Sequence, residues 1–172
     1  MKKIVFIFLL SLLAACDQSP DIMHGFKWGQ SMDEIRKSDL KGLDCTSAPQ
    51  GWACHSFSSP AEQMQKYAYF FVVMREQGLA SLMILNPKKY TNKDELFAEY
   101  NRLNNELNTV FGAATNDINN VIQDDSFFTC LSRKSCGEIY SEYNHEGVTA
   151  HISLDSDGRS GSVTLLMATQ KK

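Results

Sequence analysis

Between Lys66 and Leu85 the chain carries two apolar runs, 66–75 and 79–85, around the short connection Glu76-Gln77-Gly78. Glycine takes positive φ at little cost, so this pattern predicts a β-hairpin. What constrains the fold is that neither face of the hairpin is polar. Tyr67, Tyr69, Phe71 and Val73 alternate onto one face, and Ala68, Phe70, Val72 and Met74 onto the other. A strand that is apolar on both sides belongs in the middle of a sheet, covered above and below. If the rest of the chain covers one side only, the other is left for a partner, because Tyr and Phe are enriched in interface cores. On that expectation Tyr67, Tyr69, Phe71 and Met83 are the candidate partner-binding residues. The alternative is that the terminal strands, or the segment holding Phe26 and Trp28, close the second face.

The flanking sequence supplies two helices and further strands. Phe26 and Trp28 alternate as in a short strand. Ser31 and Glu34 stand at capping-box spacing, which predicts a short helix from Met32 to about Ser38. Residues 43–46 and 52–57 read as strands. Asn92 can cap a second helix in which Leu96, Tyr100, Leu103, Leu107 and Val110 form one apolar stripe, with Gly112 ending it in the left-handed region. Residues 113–125 are polar and Asn-rich and read as a loop. Segments 127–131, 138–144, 148–155 and 162–169 read as strands. The expected fold is α+β: antiparallel meanders with one short and one long helix packed on one side, in the order α-ββββ-α-ββββ.

The N-terminus has a different logic. Lys2 and Lys3 precede an apolar run, 4–13, interrupted only by Ser11, and Leu13-Ala14-Ala15-Cys16 closes it. The run is shorter than the roughly 20 residues that a bilayer-spanning helix needs, so it reads as an export signal. The closing tetrapeptide resembles the lipobox of bacterial lipoprotein precursors. The resemblance implies cleavage before Cys16, acylation of that cysteine and a stable anchor on the outer side of a membrane. Asp17 resembles the signal that retains such proteins in the inner membrane of enteric bacteria. The expected organisation is a signal peptide at 1–15, a lipidated tether at 16–24 and one α+β domain at 25–172.

With Cys16 acylated, Cys45, Cys54, Cys130 and Cys136 remain. In an exported protein an even set usually pairs. Three connectivities exist. Cys45–Cys54 and Cys130–Cys136 are favoured, because each pair brackets a short turn-rich segment. A metal site built on Cys45, Cys54 and His55 lacks a CxxC pair, and no metal or other cofactor is expected.

Charge and motifs exclude more than they assign. Without Lys2 and Lys3 the formal charge deepens from −3 to −5, which argues against nucleic acid as a partner. There is no nucleophile elbow, zinc-protease motif, phosphate loop or dinucleotide fingerprint. The run Asp155-Ser156-Asp157-Gly158 lacks the ligands of a calcium loop and reads as a turn. His145 and His151 could meet across the Glu146-Gly147 turn, and Glu138 and Glu142 share a strand face, but nothing marks either pair as buried. The expectation is therefore a membrane-tethered, non-enzymatic protein-binding protein, of the immunity or inhibitor kind or an accessory subunit of an envelope assembly. The alternative is a carrier or sensor of a small apolar ligand held in a cavity lined by Phe70, Leu96 and Leu103.

Overall fold

Capping chemistry sets where both main helices begin. The computed structural model describes residues 22–61 and 66–170; Cys16 and Asp17 lie outside the described residues. In α1 (Met32–Lys37) the Ser31 side chain accepts the Glu34 amide, and the Glu34 carboxylate accepts the Ser31 amide, completing the box. In α2 (Lys93–Phe111) the Asn92 side chain accepts the Glu95 amide at 3.1 Å, but the Glu95 carboxylate turns outward to Lys88.

The strands are β1 (Asp44–Ala48), β2 (Gly51–Ser56), β3 (Ala68–Met74), β4 (Gly78–Leu85), β5 (Asn116–Asn119), β6 (Ile139–His145), β7 (Val148–Ser156) and β8 (Gly161–Thr169). Among the described residues they form one antiparallel sheet in the order β1-β2-β3-β4-β8-β7-β6-β5. Two meanders are joined where β4 pairs with β8, and α2 carries the chain from one to the other. The α+β class and the antiparallel sheet hold, with two local corrections. Segment 127–131 is a short helix, α3 (Phe127–Leu131), rather than a strand; Phe127, Cys130 and Leu131 are its buried residues, at helical spacing. The expected loop at 113–125 contains the edge strand β5, whose polar residues gave no alternation to read.

The core lies on one side of the sheet. On its β2–β4 half, Phe26 packs with ring centroids 5.6 Å from Tyr69 and 5.5 Å from Phe71, and Trp28, Met32 and Ile35 are buried with it. On the other half α2 packs against β6, β7 and β8. Leu96, Tyr100, Leu103 and Leu107 face inward as expected, but Val110 is exposed and Phe111 takes the last inward place, because a 3.6-residue period has drifted past Val110 by then. Each fully buried aliphatic or aromatic side chain of this layer stabilises the fold by about 1.5–3 kcal/mol.

The segment before α1 is turn-rich rather than a strand, and it is part of the domain. Ile22 and Met23, expected in the tether, are buried, and the Ile22 amide donates to the Phe26 carbonyl at 2.8 Å. The segment is laced to β4 by the Gly29 amide on the Leu79 carbonyl and the Leu79 amide on the Gln30 carbonyl. At Gly78, with φ +67°, a Cβ would stand 2.0 Å from the Gly29 carbonyl oxygen, so only glycine fits this crossing.

Both disulfides are Cys45–Cys54 and Cys130–Cys136. Cys45 and Cys54 are direct cross-strand partners on β1 and β2, with Cα atoms 4.1 Å apart. Cys130 on α3 reaches Cys136 ahead of β6, at a Cα separation of 5.1 Å. Both close short loops, where the chain-entropy contribution is about 2–3 kcal/mol each.

Candidate protein-docking face

Directly opposed residues of an antiparallel pair share a face, so the register carries one side chain's orientation across the whole sheet. Starting from Phe70, the partners run His55 and Asp44 to one side and Met83, Leu166, His151, Glu142 and Asn116 to the other, one residue from each strand. This row looks away from the helices. Phe70 is 39% exposed, its neighbour Val72 36% and Leu166 44%. Past the end of β2, Phe57 stands with its ring 5.8 Å from His55, which in turn lies 6.1 Å from Phe70. At the far end Tyr140 tilts against His151 at 5.2 Å. Strands are spaced about 4.8 Å apart, so the strip from β2 to β6 spans about 24 Å.

Isolated exposed apolar residues are ordinary; neighbouring ones on one sheet face make a candidate interaction surface. The charge pattern sharpens this. The eight strands contain no lysine and no arginine, although lysine is a common means of keeping a sheet from associating. Their carboxylates on the open face are Asp44, Glu142 and Asp155. Glu142 is held by the Asn116 amide at 3.2 Å and lies 3.6 Å from His151, and Asp155 accepts from the Thr164 hydroxyl at 3.1 Å.

The partner residues expected from the sequence therefore need correction. Tyr67, Tyr69 and Phe71 are 2%, 0% and 2% exposed and belong to the core; of that set only Met83 lies on the open face, opposite Phe70. The hairpin is central in strand order but covered on one side. The alternation was legible, but which face would be covered was not. That depends on Phe26 folding back onto Tyr69 and Phe71, a contact between distant parts of the chain. No signal in the sequence alone separates Phe70, Val72 and Leu166 from the covered face.

A second concentration of polar groups lies beneath the sheet. Glu99 is buried on α2 and accepts hydrogen bonds from the Tyr67 hydroxyl at 2.6 Å, Asn86 at 3.1 Å and Arg102 at 3.1 Å. Arg102 also donates to Tyr67 and Glu106, and Asn86 donates to Tyr90. His24 bonds the Tyr69 hydroxyl at 2.6 Å and lies 3.5 Å from Glu106. Burial pushes the Glu99 carboxyl up, but the hydrogen bonds from Arg102 and Tyr67 outweigh it and hold it at about 2. Burial and the Glu99 hydrogen bond push the Tyr67 hydroxyl well above its usual value. These groups satisfy one another, and the cluster is a pin between helix, hairpin and N-terminal segment.

The Glu99 value gives a signed acid dependence. Its folded value lies below the ordinary 4.5, so its contribution is fully present above that pH and is lost as pH falls toward about 2. Glu99→Gln is expected to destabilise the domain by about 2 kcal/mol at neutral pH and to flatten the acid limb of a melting-temperature profile. Parallel profiles for the two proteins would contradict this role.

The remaining candidates do not assemble. His151 opposes Glu142 while His145 opposes Val148, so the two histidines do not face each other. Glu138 precedes β6 and is exposed. The Asp157 carboxyl accepts the Arg159 and Ser160 amides and the Ser160 hydroxyl, which hold it down at about 2 and close the turn. Cys45 and Cys54 are oxidised and unavailable to a metal. Phe70 lies on the open face while Leu96 and Leu103 are buried beneath the sheet, so the three do not line one cavity. A cleft of ≈ 330 Å³ beside Tyr140, His151, Lys134 and Asp155 adjoins the far end of the open strip. No family model, curated protein or solved structure matches the chain.

Proposed function

We propose that this chain is a lipid-anchored, envelope-facing binding protein that performs no catalysis and docks a protein partner on the open face of its sheet. The lipobox-like Leu13-Ala14-Ala15-Cys16 supports acylation at Cys16, and Asp17 supports retention in the inner membrane with the domain on the periplasmic side. Two disulfides suit an oxidising compartment. The observation that carries the reading is the strip from Phe57 through Phe70 and Met83 to Leu166, apolar and without lysine or arginine from any strand. An immunity or inhibitor lipoprotein, or an accessory subunit of an envelope assembly, would use such a surface.

Hydroxyl-radical footprinting of the full-length chain in its native cell tests this against the purified chain. Phe70, Met83 and Leu166 are expected to be protected in the cell. Val110 and Ile122, at 40% and 52% exposure on other parts of the surface, are expected to label equally in both. Equal labelling of all five would contradict docking on this face. In the same cells Cys16→Ser is expected to remove the protein from the membrane fraction; a variant that stays there unacylated would end the anchoring part of the proposal.

A further inference from the structure

We infer that the partner's docking surface is an apolar patch bordered by lysine and arginine, and that the occupant is neither a second copy of this chain nor a lipid bilayer. The inference rests on reading the open sheet face as a docking surface and goes on to name the chemistry that fits it.

Three features of the face carry it. Its centre is apolar: Phe70, Val72, Met83 and Leu166 come from three adjacent strands, β3, β4 and β8. Its flanks are acidic: Asp44 stands at the β1 end of the row, and Glu142 and Asp155 stand on the β6–β7 side. No strand supplies a cation. The domain's basic residues stand on its helices, turns and connections; two of them border the Asp155 corner, Lys134 in the adjoining cleft and Lys89, which donates to the Ser162 hydroxyl opposite Asp155, while none stands beside Asp44 or Glu142 in the row itself. A partner whose apolar patch is rimmed by Lys and Arg gains attraction at both ends of the strip and is steered toward it from a distance.

The same charges decide against the other occupants. A second copy stacked face to face by a two-fold axis along the strands lays the Asp44 end over the Glu142 end. An axis across the strands lays each end over itself. Either way carboxylates meet carboxylates, with no strand lysine or arginine to separate them. An anionic bilayer would find no cation from the strands for its headgroups.

The test uses a pair of β-hairpin peptides with the same Val, Leu and Phe face, one rimmed with lysine and the other with glutamate. Binding to the folded, acyl-free domain is measured by fluorescence anisotropy at low and high salt. The lysine-rimmed hairpin is expected to bind about tenfold more tightly at low salt. That preference should vanish in the triple variant Asp44→Asn, Glu142→Gln, Asp155→Asn, while Phe70→Ser weakens both peptides. Equal binding of the two, still dependent on Phe70, would overturn the charge inference and leave the docking face standing. Binding of both that ignores Phe70, or no binding of either, would overturn the face and the inference together. A dimer in sedimentation that Phe70→Ser dissolves would overturn the heterologous partner. So would Phe70-dependent binding to phosphatidylglycerol vesicles.

Discussion

Phe26→Ala is expected to destabilise the domain by about 3–5 kcal/mol, the range for removing a fully buried aromatic ring. Phe26 is 0% exposed and fills the space over Tyr69 and Phe71, which are 0% and 2% exposed themselves. Among the described residues no helix of the length of α2 lies on that half of the sheet; the cover is the segment 22–30 with α1, and Phe26 is its keystone. Removing the ring leaves a cavity between two tyrosine- and phenylalanine-bearing strand positions that the disulfide-held β1–β2 hairpin cannot readily close. The urea midpoint measures this directly. A loss below about 1 kcal/mol, the scale of a surface change, would mean that the segment does not cover the sheet.

The covered layer also holds the first described residues. The described chain begins at Ile22, which is buried in the covered layer and bonded to Phe26. Ile22 thus lies on the helix side, and the row through Phe70 and Leu166 looks the other way.

Local chemistry was legible in the sequence wherever one short stretch decided the outcome. Ser31 with Glu34 and Asn92 with Glu95 located both helix starts; the first uses both side chains, the second only that of Asn92. The turn before Gly78 located the central hairpin, and cysteines bracketing short turns paired as their spacing suggested. Legibility failed where two distant segments decide. The strand period gave two apolar faces on β3 without saying which would be covered, and the face chosen was settled by Phe26, more than forty residues away in the chain. The edge strand β5 was hidden for another reason: Asn116–Asn119 is polar, and it is a strand because β6 offers a free edge and Thr115 donates to the Glu142 carbonyl at its start. At α3, two adjacent phenylalanines resembled a strand, yet residues 127, 130 and 131 are the ones that point inward.

The docking reading stands or falls on separating recognition from folding at one place. Phe70 and Leu166 are 39% and 44% exposed and lie outside the core, so the double variant Phe70→Ser, Leu166→Ser should shift the unfolding free energy by about 1 kcal/mol or less. As central residues of an interface they should together contribute at least about 2 kcal/mol to binding, a loss of about thirtyfold in affinity. The measurement is site-specific photo-crosslinking from position 72, on the same face, in the full-length chain within its native cell. One discrete adduct with a different protein is expected from the otherwise unchanged chain, falling at least about tenfold in the double variant while the melting temperature holds. An adduct of unchanged yield in the double variant, or crosslinking no different from that at the exposed helix position 105, would contradict the assignment of this face.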